Sequence, residues 1–242
     1  MADTLFVSEF RSACEHAGCP FCAMSRRRTR RYLGSLLHEY TLAPDIHESL
    51  AASVGFCARH ALLLRQVSLA EQGDGLGVGV LYETVVERLV ERIGSAIARL
   101  DRSGGPEEAA AALTPEGECL ACAHERRDEQ YDQSLFLEDL TAHGCEGPLG
   151  SLYAASAGAC VPHLRRLLAA RPRGPVARWL LEHGRRGFQV LSERLRDEVE
   201  AHAVHGAAVR PRANGEAWGL VLVLCAGDAH GPAVFATPTQ GR

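Results

Sequence analysis

Apolar residues recur every three or four positions along much of the chain, and this spacing places them on one face of a helix. Over residues 76–100 the recurring positions are Leu81, Val85, Leu89, Ile93, Ile97 and Leu100. Over residues 176–203 they are Trp179, Leu180, Val190, Leu191, Leu195 and Val199. We therefore expect two long helices whose apolar faces pack against a core.

Shorter helices precede each long one. The pattern predicts four helices: one over residues 4–15, one from about Cys22 to residue 40, one from Asp45 to residue 53 and one over 57–69. Gly18 and Gly55 break the helical pattern between them. The second half repeats this order, with a helix that opens at Cys119 and further helices over 152–157 and 160–170. Residues 102–115 have the Gly, Pro and Ala content of a linker that includes, at most, a turn of helix.

The pattern indicates an all-α protein built from two duplicated helical halves. We predict a first repeat over residues 1–104, a second repeat over 115–206 and a C-terminal tail over 207–242 that is partly disordered. Within the tail, the apolar segment from Trp218 to Cys225 is expected to be either a lone strand or a terminal packing segment. It lies outside the repeat.

One decapeptide occurs twice. Residues 51–60 and 154–163 both follow the pattern A-A-S-x-G-x-C-x-x-H, and a C-x-x-C pair precedes each copy. A Cys and a His three positions apart on a helix lie on the same face, and a C-x-x-C pair can direct both sulfurs toward one point. Three thiolates and one imidazole form the closed, four-ligand set that is typical of structural zinc.

We predict one such site in each half, so that each half is stapled by its own zinc ion. The expected ligands of the first site are Cys19, Cys22, Cys57 and His60. The expected ligands of the second site are Cys119, Cys122, Cys160 and His163. In each site the Cys–His pair stands at a helix start, whose exposed N–H groups favour the thiolate of Cys57 or Cys160.

Three other interpretations of the cysteines remain open. They are small apolar core residues kept by duplication, ligands of an iron–sulfur cluster, or redox-active C-x-x-C pairs. The repeated histidine argues against the first. The lack of a βαβ pattern argues against the third.

Charge and composition narrow the class of protein. The net charge of −4 argues against a general nucleic-acid binder. All 26 basic residues are Arg, which indicates a GC-rich genome, and we expect the run over residues 26–31 to be a solvated helix face.

The N-terminus lacks the pattern of a secretory signal, and the longest apolar run, over residues 220–226, is too short to span a membrane. We expect a cytoplasmic protein, in which nine cysteines would not form a disulfide framework.

Several segments form a recognisable combination. They are Cys19-Pro-Phe-Cys22, Tyr32-Leu33, Gly55-Phe56-Cys57-Ala58-Arg59-His60-Ala61, Gly75-Leu76-Gly77 with Leu81-Tyr82-Glu83, and Cys160-Val161-Pro162-His163-Leu164. Together they resemble an uncharacterised bacterial family, domain of unknown function 6062. The resemblance extends to about residue 205. It implies the duplicated helical architecture and a bacterial origin, and it adds no reaction.

These observations favour a zinc-stapled helical scaffold that binds another protein or acts as a regulator. The alternatives are a redox or metal sensor that uses thiols or an iron–sulfur cluster, and an enzyme with a pocket between the halves. The sequence shows no nucleophile–base pair, P-loop or H-E-x-x-H motif, so we nominate no catalytic residue.

Overall fold

A computed structural model describes residues 4–71, 73–102, 105–205 and 217–227 of the chain, and it describes side chains except at 201–205. Over these ranges the chain forms α-helices and no β-strand, which confirms the all-α prediction. The helices are α1 (Thr4–Cys14), α2 (Pro20–His38), α3 (Pro44–Ala52), α4 (Ala58–Glu71), α5 (Leu76–Asp101), α6 (Pro106–Ala112), α7 (Leu120–His143), α8 (Pro148–Ala154), α9 (Val161–Ala169), α10 (Gly174–His205) and α11 (Ala217–Ala226).

Proline begins several of these helices. Pro44, Pro106 and Pro148 occupy the first turns of α3, α6 and α8. The ring fixes φ near the helical value and removes an N–H that would have no partner inside the helix. The start of α6 at Pro106 shows that the predicted linker contains a helix of two turns.

The first compact unit, unit 1, contains Met1–Arg26 and Asp128–Arg242. Aromatic rings form much of its core. Phe10 of α1 packs against Phe21 of α2 and Phe136 of α7, with ring centroids 5.6 and 5.3 Å apart. Phe136 in turn packs against Tyr153 of α8, and all four side chains are buried. This core fixes the start of α2 to the second half of the chain.

The second compact unit, unit 2, contains Arg27–Arg127. Its core combines leucines of α2 and α4 with the N-terminal part of α5. The fully or almost fully buried members include Leu33, Leu36, Leu64, Leu81 and Val85. Ala121, at the start of α7, belongs to the same core. Residues 119–127 therefore pack with the first half of the chain.

The compact units do not coincide with the sequence halves 1–104 and 115–206. Residues 4–26 pack with the second half and residues 115–127 with the first, because the apolar side chains of these segments complete the opposite core. Of the predicted tail, residues 207–216 and 228–242 lie outside the described residues.

The two long helices bury less of their apolar surface than the pattern predicts. On α5, Leu81 and Val85 are buried, whereas Ile93, Ile97 and Leu100 are exposed. On α10, Leu180 and Leu191 are buried, whereas Val190 and Val199 are exposed. A helix of 26 or 32 residues is longer than the core beneath it, so regular spacing alone does not guarantee burial.

The apolar segment of the tail forms helix α11, so the strand option is wrong and the packing option is confirmed. Ala217 and Leu224 are buried, and α11 contacts α9 and α10. The N–H of Ala217 donates to Glu198 Oε1 at 2.7 Å, which caps the start of the helix. None of the described helices combines the length and the apolar character that crossing a membrane requires.

Candidate metal centres

The eight predicted ligands lie at the N-terminal ends of four helices. Cys19 and Cys119 directly precede α2 and α7, and Cys22 and Cys122 lie in the first turns of these helices. Cys57 and Cys160 immediately precede α4 and α9, with the two histidines three residues later. The exposed N–H groups of a helix start favour negative charge, which suits thiolates.

Equivalent tight turns present Cys57 and Cys160. Gly55 and Gly158 adopt positive φ values of 81° and 78°, a conformation that glycine takes without steric cost. The following N–H groups, those of Phe56 and Ala159, donate to tyrosine hydroxyls at 3.1 and 2.9 Å. The tyrosines are Tyr82 of α5 and Tyr153 of α8, so different helices hold the two copies of the turn.

The structure gathers the eight side chains into two clusters. We call the first cluster I, in unit 1: Cys19, Cys22, Cys160 and His163. We call the second cluster II, in unit 2: Cys57, His60, Cys119 and Cys122. Within each cluster the four potential ligand atoms lie within 4.8 Å of one another.

This grouping corrects the predicted ligand sets. The predicted sites, Cys19–Cys22 with Cys57–His60 and Cys119–Cys122 with Cys160–His163, do not form. Each C-x-x-C pair instead meets the Cys–His pair of the other sequence half. The reason lies in the cores, since the Phe10–Phe21–Phe136 packing carries Cys19 and Cys22 to α9, and the burial of Ala121 carries Cys119 and Cys122 to α4.

Histidine Nδ1 is the nitrogen that faces the sulfurs in both clusters. In cluster I, His163 Nδ1 lies 3.6, 3.4 and 3.1 Å from the Sγ atoms of Cys19, Cys22 and Cys160. In cluster II, His60 Nδ1 lies 3.3, 3.5 and 3.4 Å from the Sγ atoms of Cys57, Cys119 and Cys122. The Sγ–Sγ distances are 3.6 Å for Cys22–Cys160 and 3.7 Å for Cys57–Cys122.

These distances fit the edges of a tetrahedron around one zinc ion. With Zn–S bonds of about 2.3 Å and Zn–N bonds of about 2.0 Å, such a tetrahedron has S–S edges of about 3.8 Å and S–N edges of about 3.5 Å. The donor set and its spacing therefore fit zinc in both clusters.

The second histidine nitrogen meets a glutamate in each cluster. His60 Nε2 lies 3.1 Å from Glu125 Oε1, and His163 Nε2 lies 3.4 Å from Glu129 Oε1. Glu125 also pairs with Arg59, and Glu129 pairs with Arg166. A carboxylate on the outer nitrogen of a metal-binding histidine fixes the ring and its tautomer.

Sequence reasoning missed these carboxylates and arginines. A signal existed for Glu125, which follows Cys122 by three positions and so lies on the same helix face. Glu129 lies on the same helix but serves the other cluster, so no local spacing could have nominated it.

In the absence of metal, one thiolate in each cluster is favoured. Hydrogen bonds from Cys19 and Cys22 lower the pKa of Cys160 to about 4. Burial raises the pKa of Cys119, but hydrogen bonds from His60 and from backbone N–H groups outweigh it and bring the pKa to about 6. Burial lowers the pKa of His60 and His163, yet hydrogen bonds to the cysteines and glutamates raise both to about 9. Each cluster thus has the charges of an imidazolium–thiolate pair, and metal binding there would release protons.

The model of a family of unknown function, DUF6062, matches residues 4–196. The chain belongs to this family. Among curated proteins and solved structures, none matches the chain. The DUF6062 match contains all eight residues of clusters I and II, and it confirms the resemblance found in the sequence.

Helix α11 lies beyond the DUF6062 match and covers cluster I. A Cβ atom on Gly18, the residue before Cys19, would lie 3.8 Å from Val223 of α11. A Cβ atom on Gly227, the residue after α11, would lie 3.7 Å from Cys160 Sγ. All four residues of cluster I are buried, whereas Cys57 and Cys122 of cluster II are only partly buried.

The remaining cysteines lie outside both clusters. Cys14 and Cys145 are partly buried, and Cys225 is exposed on α11. Burial raises the pKa of Cys14 to about 12, which keeps it a thiol. No disulfide occurs among the described residues, which include all nine cysteines.

Unit 2 also contains two cavities that involve none of the cluster residues. A polar cavity of about 490 Å³ lies between α3 and α5, next to His47, Arg88 and Glu116. An apolar groove of about 420 Å³ lies between α4 and α5, next to Leu64, Val78 and Tyr82.

Proposed function

We propose that the protein binds two zinc ions, one in cluster I and one in cluster II, as structural metals of a cytoplasmic interaction scaffold or regulator. The observation that carries this proposal is the near-tetrahedral spacing of three sulfurs and one Nδ1 atom in each cluster. Closed sets of four such ligands are characteristic of structural zinc.

The compactness of the clusters favours a single ion over an iron–sulfur cluster. In a polynuclear cluster the cysteines bind different irons and stand farther apart than ligands of one ion. Here every ligand atom lies within 4.8 Å of the other three. The glutamate on each histidine Nε2 also supports a mononuclear site, because it orients Nδ1 toward the metal.

Each zinc ion would join helices that are remote in sequence. Cys22 and Cys160 are 138 positions apart, and Cys57 and Cys122 are 65 positions apart. Closing such long loops restricts the unfolded chain, and the binding free energy of the metal becomes folding free energy.

The interaction role is supported by an exposed apolar stripe on α5. Its members recur at alternating spacings of four and three residues: Val86, Val90, Ile93, Ile97 and Leu100. A contiguous apolar helix face of this kind is typical of a protein-binding surface. A protein partner with an apolar face of its own would cover it.

The cytoplasm is the compartment that suits this chemistry. Reducing conditions keep the cluster cysteines as thiols or thiolates, which are the forms that bind zinc. The absence of Lys among 26 basic residues supports a bacterial source with a GC-rich genome.

Elemental analysis and a visible spectrum of the purified protein test the proposal. We expect about two zinc ions per chain and no charge-transfer bands. Cys57→Ser and Cys160→Ser should each remove about one ion and reduce helicity, whereas Cys225→Ser, at an exposed cysteine outside both clusters, should change neither. A metal-free protein that is fully folded would overturn the proposal, and iron with visible absorption would replace it with the iron–sulfur alternative.

A further inference from the structure

We propose that cluster II is a site of reversible oxidation by peroxides, at which disulfide formation releases its zinc ion, while cluster I keeps its zinc. This inference rests on the proposed zinc binding and assigns different roles to the two clusters, with redox-dependent zinc release in cluster II and stable zinc binding in cluster I.

The two clusters differ in how far their cysteine residues are exposed. Cys19, Cys22 and Cys160 expose at most 6% of their surface. Cys57 and Cys122 are both partly exposed, although His60 is buried. We therefore expect a small oxidant in solution to reach Cys57 and Cys122 more readily than any cysteine of cluster I, and thiolate oxidation depends on such access.

Neighbouring elements explain the difference. In unit 1, Phe21 stacks on His163 with centroids 5.6 Å apart, and the segment from Val223 to Gly227 lies against Gly18, Cys160 and Pro162. The sequence repeat gives cluster II no equivalent of α11, because this helix follows the second copy and lies outside the repeat. Cluster I thus has a cover that the duplicated sequence does not provide to cluster II.

The geometry of cluster II also suits disulfide formation. The Sγ atoms of Cys57 and Cys122 are 3.7 Å apart, so they need to approach by less than 2 Å to reach the S–S bond length of about 2.05 Å. The resulting bond would join the start of α4 to the start of α7, the two segments that the zinc ion holds together in the reduced protein.

The reaction consumes one peroxide for each disulfide. One thiolate attacks a peroxide oxygen, an S–O bond forms, the O–O bond breaks, and the released hydroxide takes a proton to become water. The second thiolate then attacks the sulfenic sulfur, the S–S bond forms, the S–O bond breaks, and the released hydroxide takes a proton to become a second water. Two sulfurs lose one electron each and hydrogen peroxide gains both. A zinc ion held by cluster II would then keep only two of its four ligands and would dissociate.

The experiment uses the full-length protein with Cys225→Ser, which removes the exposed thiol outside the clusters. Zinc is first quantified, then hydrogen peroxide is added and released zinc is followed with a chromophoric chelator. Alkylation and peptide mass spectrometry identify the oxidised cysteines. We expect fast release of about one ion per chain, oxidation among Cys57, Cys119 and Cys122, and recovery of zinc binding after a thiol reductant is added.

The outcomes separate the two proposals. Absence of zinc before peroxide is added contradicts the proposed function. Two zinc ions that leave at the same rate, a first loss from cluster I, or retention of both ions would overturn the present inference and leave zinc binding intact.

A second measurement tests the cover. Leu224 is 5% exposed and Leu222 of the same helix is 60% exposed, so Leu224→Asp should displace α11 and Leu222→Asp should not. We expect peroxide to release the cluster I zinc from Leu224→Asp at least about tenfold faster than from Leu222→Asp or the parent protein, because the cysteines of cluster I become accessible. The milder Leu224→Ala should act in the same direction if Leu224→Asp fails to fold. Equal release rates in all these variants would show that α11 does not protect cluster I.

Discussion

At the scale of single residues, the carboxylates on the two histidines distinguish these clusters from simple groups of thiols. Glu125 is buried beside His60, and Glu129 contacts His163 while it pairs with Arg166. Both glutamates face the outer nitrogen of an imidazole, but the contact of Glu129 with His163, at 3.4 Å, is longer and less well directed than that of Glu125 with His60, at 3.1 Å.

Glu125→Gln and Glu129→Gln should each weaken one zinc site and leave the other unchanged. Loss of such a carboxylate typically lowers metal affinity by about 10–100-fold. Competition with a chelator of known affinity measures both sites in each variant. Glu182→Gln, at a partly exposed glutamate that pairs with Arg178 on α10, is the control. Equal weakening of both sites by either cluster variant would contradict separate roles.

Two glycines should respond in opposite directions to the same substitution. Gly55 has a φ of 81°, and a Cβ atom there would lie 2.8 Å from the Tyr82 ring. Gly55→Ala should therefore lower the free energy of unfolding by about 1–3 kcal/mol. Gly94 lies within α5 with open space around its Cβ position, so Gly94→Ala should raise it by about 1 kcal/mol. Denaturant titrations monitored by circular dichroism measure both values.

At the scale of helices, the main feature is that the C-x-x-C segment of each sequence half packs with the Cys–His pair of the other half. The first such segment begins α2 and completes cluster I with α9, while the second begins α7 and completes cluster II with α4. Zinc stoichiometry in double variants distinguishes this arrangement from sites within each half.

Cys22→Ser combined with Cys160→Ser should cost one zinc ion, because both residues belong to cluster I. Cys22→Ser combined with Cys57→Ser should cost both, because one residue comes from each cluster. Ligand sets within each half would give the reverse result. Mass spectrometry under native conditions counts the ions that remain bound.

The apolar stripe on α5 makes a separate prediction about stability. Ile97 is 55% exposed and Val85 is 2% exposed on the same helix. Ile97→Ala should change the free energy of unfolding by less than about 0.5 kcal/mol. Val85→Ala should lower it by about 2 kcal/mol, because it removes buried methyl groups and leaves a cavity. A large cost at Ile97 would mean that the stripe packs within the protein and is not available to a partner.

At the scale of the whole molecule, the sequence was sufficient for most of the helices, though not for α6 and α11, and for the eight cluster residues. Periodicity located the helices, and the duplicated motif located the cysteines and histidines. The pairing was not predictable from the motif, because both copies offer chemically identical ligands. The choice depends on long-range packing around Phe10, Phe21 and Phe136, which no local spacing reveals. The exposure of Ile97 and the cover provided by α11 are tertiary features of the same kind.

The exchange of ligand pairs also sets an order of assembly during synthesis. The residues of cluster II are all present once Cys122 has been made, whereas Cys19 and Cys22 must wait for Cys160 and His163. At about 5–20 residues per second, roughly 5–20 s separate the synthesis of His60 from that of His163. During that interval Cys19, Cys22, Cys57 and His60 are the complete ligand set nearest in sequence, and a zinc ion bound there would trap the nascent chain.

Refolding with zinc present from the start should therefore be slower than refolding with zinc added after collapse, as stopped-flow fluorescence of the two tryptophans would record.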